Sequence, residues 1–523
     1  MLLQRVANRG IRLGTLFERA AARHPTNDIT LDHDLDIAPE LGRRLTVGTV
    51  ADLIADLASR LHASGVRPTD RVVVFKSNNF DVTLAACAIA RIGAVPVLLS
   101  PALDGATVLQ LIHRAGRPYL LTDQVKLDHE LPESVFADSA GVLLAAGDHP
   151  RATALRALPE VPQIAPITMP PEHPTLVTHT SGTTGVPKLA VHTGHTLQAR
   201  YRPQATVAAM VRQRVPVAIH VSFVHSRLFT ALAITLLRGF PLLVLADDDP
   251  DRAADLFAAH RPGVLETHPN SFLRWERLID DPRRPLATVR YFSSTFDAIH
   301  PRTVRRMLTA SAHPRPIFGQ LYGQSEVGPV AARAFTIHRP EDADGRCVGM
   351  PFPGMTDLRV VSRDGRRPTA MNPGYIEVRT DGRILTYLGE QQRYDNQRQG
   401  SWWRMGDLGY RTRLGCLHLL DREVDEIDGF GSTLAAEDTL LDRLDELIEV
   451  IIIPGPDGPP VPVVCTVDDR PLDLTRWASA ASTLPPMAAP AQWRLADLPQ
   501  TATTKIKRLD LAKRLVERGS AAE

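Results

Sequence analysis

The sequence predicts an α/β fold with a large N-terminal domain and a small C-terminal domain. A chain of 523 residues is too long for one hydrophobic core, so two or more domains are expected. Between about residues 45 and 123, segments with helical spacing of apolar residues alternate with short apolar runs typical of buried strands. This alternation predicts a parallel sheet with helices on both faces. After about residue 355, strands and turns dominate, and the tail beyond Asp421 predicts a small α+β unit.

Apolar periodicity locates the first elements. Residues 46–62 and 81–92 are apolar at the helix period, and Arg71-Val-Val-Val-Phe75 and Ala94-Val-Pro-Val-Leu-Leu99 are short apolar runs that predict strands. The pattern recurs as a strand at 216–221, a helix at 228–237 and a strand at 242–245. Residues 140–170 and 470–490 are rich in Pro and Ala with weak periodicity, which predicts loops.

The second half of the chain predicts a different arrangement of secondary structure. Strands are expected at 358–361, 374–379 and 417–420. The tail is expected to form a helix at 435–447, strands at 449–453 and 462–467, and a last helix at 508–517.

Composition excludes several classes of protein. A net charge of +1 gives no long-range field for nucleic acid or a membrane surface, so neither partner is expected. The first residues are too polar for a signal peptide, and no window is apolar enough for a transmembrane helix. Cys87, Cys347, Cys416 and Cys465 are scattered without metal-ligand spacing, which favours the reducing cytoplasm.

A loop rich in Thr, Ser and Gly runs from Val177 to Lys188. Glycines let backbone N–H groups turn toward an anion, hydroxyls add donors, and the lysine adds a point charge. The spacing differs from the Walker A loop, because two residues separate Gly185 from Lys188 and Leu189 follows the lysine. The run predicts a phosphate-handling loop, although an ordinary flexible turn has a similar composition.

A second candidate is Gln320-Leu-Tyr-Gly-Gln-Ser-Glu326, which follows a predicted strand end. A Tyr-Gly pair there suits an aromatic face stacked on a purine beside a close backbone. Ser325 offers a hydroxyl, and Glu326 offers a hard oxygen ligand suited to Mg²⁺. In isolation such a segment is more often an ordinary surface turn.

The order Thr-Ser-Gly-Thr-Thr-Gly-x-Pro-Lys at residues 180–188 resembles the signature loop of the adenylate-forming superfamily, which includes acyl- and aryl-CoA ligases, adenylation domains of peptide synthetases and luciferases. Four further segments resemble its other signatures in the correct order. They are Tyr322-Gly-Gln-Ser-Glu326, Trp403-Arg-Met-Gly-Asp-Leu-Gly409, Asp421-Arg-Glu-Val-Asp-Glu-Ile427 and Leu498-Pro-Gln-Thr-Ala-Thr-Thr-Lys-Ile-Lys-Arg508. Gly65-Val-Arg-Pro-Thr-Asp-Arg-Val72 is similar to an upstream passage of the family, so the resemblance covers nearly the whole chain.

The resemblance implies a fold and a domain plan. The expected N-terminal adenylation domain spans 1–420 and has mixed and parallel sheets flanked by helices plus a β-barrel-like subdomain. A hinge at 421–424 leads to a small, mobile α+β lid domain at 425–523 that carries the catalytic lysine.

The resemblance also implies roles for individual residues. Lys505 would neutralise charge at the α-phosphate, Glu326 would hold Mg²⁺, and the Asp407 carboxylate would accept from the ribose hydroxyls. The predicted catalytic residues are Lys505, Glu326 and Ser325. The predicted ATP-binding residues are Thr180, Ser181, Gly182, Thr183, Thr184, Gly185, Lys188, Tyr322, Gly323, Asp407 and Arg422. The predicted substrate-binding residues are Phe223, His225, Ser294, Thr295, Asp297 and Gly328.

Several positions depart from the family pattern. Asp421 and Val424 replace a Gly and an Asp at the hinge, Thr504 replaces the Gly before the catalytic lysine, and Gly431-Ser-Thr-Leu434 has no basic residue where the thiol arm is received. Adenylate formation is therefore expected to be intact, while CoA ligation is in doubt.

The predicted substrate pocket departs from the family as well. Val224 stands where amino-acid-activating domains carry an aspartate, which argues against an ordinary α-amino acid, and His225 stands where acyl and aryl ligases place a wall residue. Bulky residues in Ser293-Ser-Thr-Phe-Asp-Ala298 replace a Gly-Gly loop and favour a small or flat acid. Asp297 is expected either to contact the ligand or to cap a helix.

The leading functional hypothesis is ATP-dependent activation of a small aryl or short acyl carboxylic acid, followed by transfer to the thiol of CoA or of a phosphopantetheine carrier protein in trans. A second hypothesis keeps adenylation but passes the adenylate to an amine or another non-thiol acceptor, or activates something other than a typical acid. A third is a degenerate homologue that binds nucleotide as a regulator. The expected cofactors are ATP and Mg²⁺.

Overall fold

The computed structural model describes residues 11–180, 186–209, 211–337, 345–456, 458–501 and 505–522. Within these ranges the α-helices are Leu16–Ala21, Val47–Ala63, Asp81–Arg91, Gly105–Ala115, Gln124–His129, Val135–Asp138, Gly194–Ala208, Ser226–Leu236, Pro250–His260, Pro269–Arg274, Pro301–Ala310, Gln391–Asn396, Thr433–Arg443, Leu474–Ala481 and Arg508–Ala522. In the described ranges, no helix is both long and apolar enough to cross a bilayer.

One sheet of the described chain has eight strands and carries the phosphate-loop motif. Its order is Thr386–Tyr387, Leu189–Thr193, Pro174–His179, Val95–Leu98, Arg71–Val74, Tyr119–Thr122, Gly141–Leu144 and Thr153–Ala154. The strands from Pro174–His179 onward are mutually parallel, and Leu189–Thr193 pairs antiparallel with Pro174–His179. The predicted alternation of strand and helix between residues 45 and 123 is confirmed.

A larger sheet of the described chain has 14 strands. Its order is Thr356–Val361, Gly374–Thr380, Trp402–Arg411, Leu417–Arg422, Cys347–Pro351, Gly328–Thr336, Ile317–Gln324, Tyr291–Ser294, Val264–Thr267, Val217–His220, Leu242–Val244, Asp28–Leu31 and Arg44–Thr46, with Arg398–Gln399 paired to Trp402–Arg411. The strands from Val217–His220 to Ile317–Gln324 are parallel, and those after residue 328 are antiparallel. Ligands of open α/β sheets bind at the carboxyl ends of such parallel strands.

The tail forms a smaller unit. Leu447–Ile453, Val461–Thr466 and Ala491–Gln492 make a three-stranded sheet in the described residues. Helix Thr433–Arg443 packs on it through Leu440, which is fully buried. The expected α/β fold with a large N-terminal part and a smaller C-terminal part is confirmed.

Two segments expected as loops contain regular structure. Gly141–Leu144 is a parallel strand, because its apolar run is buried between a neighbouring strand and helices. Leu474–Ala481 is a helix, because the Asp473 carboxylate accepts from the N–H groups of Thr475 and Arg476 at its start and Trp477 anchors it in the tail core. The predictions of loops at these two places were wrong.

Candidate active site

A cavity of about 440 Å³ lies at the carboxyl ends of the parallel strands of the larger sheet, where the C-terminal tail meets it. It brings together most of the residues singled out in the sequence. Those that line it are Thr180, Lys188, His225, Thr295, Asp297, Tyr322, Gly323, Ser325, Glu326, Gly328, Asp407, Arg422 and Lys505.

Some predicted residues are placed elsewhere. Phe223 is buried in the core with its ring edge-on to Phe80, at a centroid distance of 5.8 Å, and it is not among the described residues that line the cavity. Ser294 is fully buried and is not among the described residues that line the cavity. Ser181, Gly182, Thr183, Thr184, Gly185 and Thr504 lie outside the described residues.

The two ends of the predicted phosphate loop are joined by hydrogen bonds. The Thr180 N–H donates to the Lys188 carbonyl at 2.9 Å, and the Lys188 N–H donates to Thr180 Oγ1 at 3.3 Å. Because these ends also terminate two paired strands, the sheet fixes where the loop leaves and returns. Lys188 is thereby held at the cavity wall.

The carboxylate of Glu326 is held through one of its oxygens. Tyr387 Oη donates to Oε1 at 2.6 Å, and Lys188 Nζ lies 3.1 Å from the same oxygen and 2.9 Å from Tyr387 Oη. Burial and the nearby charge of Glu326 raise the pKa of Tyr387, so its hydroxyl stays protonated and donates. Among the described residues, no hydrogen bond engages Oε2, which leaves this oxygen for a ligand.

One end of the cavity combines an aromatic ring with a carboxylate. Tyr322 Oη donates to Asp407 Oδ2 at 2.6 Å, which fixes both side chains. Asp407 and Arg422 face each other across paired strands Trp402–Arg411 and Leu417–Arg422. Burial raises the pKa of Asp407, and the charge of Arg422 opposes this shift. The arrangement offers a ring face and an anionic acceptor to a nucleoside.

Lys505 enters the cavity from the tail. The Thr501 N–H donates to the Lys505 carbonyl at 2.7 Å, and the Lys505 N–H donates to Thr501 Oγ1 at 3.1 Å. Burial lowers the pKa of Lys505, while the charge of Asp297 raises it. The bond pair at Thr501 sets the direction from which this ammonium reaches the cavity.

Asp297 faces Lys505 and does not cap a helix. Burial opposes ionisation of its carboxyl, but Lys505 and Arg422 lower its pKa overall. The helix Pro301–Ala310 is capped by the ring of His300, which accepts from the Arg302 N–H. The capping alternative for Asp297 was therefore wrong.

His225 both caps a helix and lines the cavity. Its Nδ1 accepts from the Arg227 N–H at 3.1 Å, and its Nε2 lies 3.2 Å from Ser325 Oγ. Burial, followed by the charge of Arg200, lowers the pKa of His225 to about 3, so the ring is neutral. Because Nδ1 accepts, the proton sits on Nε2, and His225 donates to Ser325.

The inner end of the cavity contains polar side chains that sequence reasoning missed. The Arg227 guanidinium donates to both oxygens of Glu266, at 2.6 and 2.5 Å, and also to Gln204 Oε1. Arg200 lines the same end and is only 3% exposed. A signal for Arg200 existed, because Leu197, Arg200, Tyr201 and Gln204 follow the spacing of one buried helix face.

Glu326 is the carboxylate of this site that could hold a divalent metal ion. In the described residues, no group of three or more His, Cys, Asp or Glu side chains could hold a metal by itself. Mg²⁺ in nucleotide enzymes is typically held by one or two carboxylates together with substrate phosphates and water. Glu326 beside the phosphate-loop lysine fits that mode, with Oε2 as the protein ligand.

Comparison with known proteins agrees with this geometry. The sequence profile of the AMP-binding enzyme family matches residues 17–388. The chain is 49% identical to a 3-amino-2-hydroxy-4-methoxybenzoate diazotase from Streptomyces cremeus, over 98% of this chain and 97% of that protein. It is 26% identical to a 3-aminoavenalumate diazotase from Streptomyces sp., over 79% of this chain and 75% of that protein.

The fold also matches solved structures. A benzoate CoA ligase from Burkholderia xenovorans LB400 superposes with a TM-score of 0.79 at 18% identity, covering 96% of this chain and 100% of that chain. The expected resemblance is confirmed: the chain belongs to the AMP-binding enzyme family of the adenylate-forming superfamily.

Proposed function

We propose that this enzyme is an ATP-dependent diazotase that activates nitrite as a mixed anhydride with AMP and transfers the nitroso group to the amine of a small aromatic acid. The observation that carries this proposal is the 49% identity over 98% of the chain to a diazotase named for an aminohydroxybenzoate. Forming a diazo group from an aromatic amine requires a second nitrogen at the oxidation level of nitrite. Nitrite is itself an oxyanion, the class of substrate that this family adenylates.

The shape of the cavity supports a very small activated acid. Phe296, in the segment that replaces the family's Gly-Gly loop, lies with its ring centroid 4.7 Å from His225 and 4.4 Å from His268. Its φ of +85° is a costly left-handed conformation for a bulky residue, which the surrounding contacts hold in place. The ring lies in the cavity wall beside His225, and a bulky residue at this position favours a small activated acid.

The first step joins two anions, so the protein must supply positive charge and alignment. A nitrite oxygen attacks the α-phosphorus of ATP, the bond from that phosphorus to the bridging oxygen breaks, and pyrophosphate leaves with the electron pair. Lys505 would neutralise charge at the α-phosphate, and Lys188 would face the departing phosphates. Ser325, oriented by His225, would donate to the oxygens of the reacting groups.

Glu326 is the residue that would hold the Mg²⁺ ion bound with ATP. Glu326 Oε2 would hold Mg²⁺ with ATP phosphate oxygens, where the ion would neutralise phosphate charge when bound. Tyr387 and Lys188 keep Oε1 occupied and so direct Oε2 toward the phosphates.

The second step is balanced without an external oxidant. The amine nitrogen attacks the nitrosyl nitrogen, an N–N bond forms, the N–O bond to AMP breaks, and the amine releases one proton. The resulting N-nitroso amine takes up a proton and loses water to give the diazonium group. Val224 stands where amino-acid-activating domains carry an aspartate, which argues against an ordinary α-amino acid as the activated acid.

The test uses isotopic nitrite. The enzyme is incubated with ATP, Mg²⁺, ¹⁵N-nitrite and a panel of aminohydroxybenzoates and aminobenzoates, and products are analysed by mass spectrometry. We expect one ¹⁵N per diazo product, with AMP and pyrophosphate formed in equal amounts. Pyrophosphate release that ignores nitrite but follows a carboxylic acid would contradict the proposal.

Lys505→Ala separates an enzyme from a nucleotide-binding regulator. Removing a preorganised cation from the α-phosphate should lower nitrite-dependent ATP–pyrophosphate exchange by about 10²–10³-fold. Lys507→Ala is the matched control, because its ammonium pairs with Asp510 at 3.6 Å. Binding of ATP by the wild type with no nitrite-dependent exchange would support the regulator instead.

A second candidate is the acid–thiol ligase. A cavity of about 180 Å³ adjoins the first one at Lys505 and Asp297 and runs between the larger sheet and the tail, which gives a second approach to the reaction centre. A thiol of CoA or of a carrier protein would enter there. AMP release that requires CoA, with a thioester of a small aryl or acyl acid as the product, would favour this candidate over the diazotase.

A further inference from the structure

Arg200 is a buried cation whose partners are all neutral. Its Nε donates to the Gly382 carbonyl at 2.7 Å, and its two terminal nitrogens donate to Ser226 Oγ at 3.1 Å and to the Ser325 carbonyl at 2.9 Å. Within the described part of the chain, no carboxylate forms an ion pair with it. A guanidinium has five N–H donors, so one remains on each terminal nitrogen.

Arg227, in the same cavity, differs from Arg200 because it has a carboxylate partner. Arg227 is neutralised by a bidentate bond to Glu266, as buried charges usually are. Burial lowers the pKa of Arg200 to about 9, and the more distant charge of Glu326 opposes that shift. An unpaired buried charge is costly, and an anionic ligand offsets that cost.

The surroundings of Arg200 are shaped to accept its side chain. A Cβ added to Gly328 would lie 2.6 Å from Arg200 Cγ, and one added to Gly382 would lie 3.1 Å from it. Gly328 also has a φ of +75°, which L side chains rarely adopt. These two glycines leave room for the aliphatic part of the Arg200 side chain. Both lie more than a hundred residues from Arg200 along the chain.

The Ser325 hydroxyl, oriented by His225, is a further donor near the guanidinium. The guanidinium is bonded to the backbone of Ser325, whose hydroxyl receives the Nε2–H of His225. Arg200, His225 and Ser325 all line the cavity that contains Lys505. Two N–H donors on adjacent nitrogens match two oxygens of a planar anion.

We infer that Arg200, His225 and Ser325 form the subsite that binds the small planar oxyanion to be adenylated, with Arg200 as its charged anchor. This inference rests on the proposed function for the identity of the anion, nitrite. The anion would bind through two oxygens, one of which attacks the α-phosphorus of ATP as described above.

The test measures binding without turnover. Wild type, Arg200→Met and Arg200→Lys are saturated with Mg²⁺ and α,β-methylene ATP, and nitrite, formate and benzoate are titrated by calorimetry. We expect Arg200→Met to weaken nitrite binding roughly 10- to 100-fold, the scale of hydrogen bonds to a charged group. Arg200→Lys should weaken it less, because it retains the charge without the fork. The affinity for the ATP analogue should change less than threefold, which also reports that each variant is folded.

A matched control lies on the same helix. Arg202 is two residues along, on the opposite face, and is not among the described residues that line the cavity, so Arg202→Met should bind nitrite as the wild type does. If Arg200→Met does not fold, Ser226→Ala removes one anchor of the guanidinium and should weaken nitrite binding severalfold.

Each outcome is decisive. Unchanged nitrite affinity in folded Arg200→Met overturns the inference. If the wild type binds benzoate but not nitrite, and Arg200→Met loses benzoate binding, the anion subsite stands while the diazotase proposal fails. If the wild type binds none of the three anions, the inference is overturned.

Discussion

Glu326 shows how neighbouring side chains decide which oxygen of a carboxylate is available to a ligand. Tyr387 and Lys188 both engage Oε1, and the Lys188 ammonium also lies 4.6 Å from the centroid of the Tyr387 ring. The tyrosine hydroxyl therefore orients the Glu326 carboxylate. We assign Tyr387 the role of a positioning residue for Glu326.

Tyr387→Phe should raise the Mg²⁺ concentration that nucleotide binding requires. Loss of the 2.6 Å hydrogen bond lets the Glu326 carboxylate rotate, so the Mg²⁺ concentration that gives half-maximal binding of α,β-methylene ATP should rise roughly 10-fold. The measurement is a calorimetric titration at several Mg²⁺ concentrations. Tyr394→Phe is the control, because Tyr394 loses an equivalent bond to the Ile384 carbonyl without contact with Glu326. Equal Mg²⁺ dependence in the two variants would show that Tyr387 only supports the fold.

At the scale of elements, the turn before strand Gly328–Thr336 is coupled to helix Gly194–Ala208 through Arg200. Gly328→Ala should destabilise the protein by about 2–4 kcal/mol, since left-handed strain is added to a clash with Arg200 Cγ. Gly354→Ala isolates the strain, because Gly354 has a φ of +69° with no atom within 4 Å of an added Cβ. Urea unfolding gives both free energies. The coupling is refuted if the two substitutions lower the free energy of unfolding by the same amount.

Element prediction succeeded where local sequence decides the structure. Val47–Ala63 was predicted within one residue at each end, because its apolar face repeats at the helix period and Thr46 caps its start. Leu474–Ala481 was missed because an Ala- and Ser-rich segment has little periodicity, and the Asp473 cap was its remaining signal. Local pattern identifies an amphipathic helix more reliably than a helix anchored by one tryptophan.

The candidate site was predictable only in part. Lys188, Glu326, Asp407 and Lys505 stand in segments that resemble family signatures, and the structure places all four around one cavity. The environment of Arg200 depends on partners 26, 125 and 182 residues away, which no local pattern encodes. Phe223 was misplaced because its neighbour in sequence, His225, faces the cavity while the phenylalanine faces the core.

At the scale of the whole molecule, acidic groups gather where the tail meets the larger sheet. Arg508 donates to both oxygens of Glu437, at 2.7 and 2.8 Å, and lies 4.0 Å from Asp425. Burial, reinforced by Glu437, raises the pKa of Glu449 to about 8. Burial also raises the pKa of Asp421 to about 7, against a hydrogen bond from Thr433. Both carboxyls are therefore protonated in the folded protein at mildly acidic pH.

The stability of the protein should accordingly fall as pH rises from about 5 to 9. A carboxyl with a raised folded-state pKa holds its proton in the folded chain and releases it on unfolding, so stability is lost as pH passes through the folded value. Glu449→Gln should flatten the dependence of Tm on pH over this range. Glu446→Gln is the control, because it removes a carboxylate close by in the sequence that pairs with Arg476 at 2.7 Å. If Tm depends on pH as steeply in Glu449→Gln as in the wild type, Glu449 is not the source of the pH dependence.

The two cations proposed to meet the substrate are tethered to different parts of the chain. Lys505 belongs to the tail, whereas Arg200 is bonded to Gly382 and Ser325 in the larger part. If the tail withdraws, the bonds that hold Arg200 are undisturbed. The reactive anhydride would then remain bound until the amine arrives. Little of it would be hydrolysed by water, so one AMP should form for each diazo product.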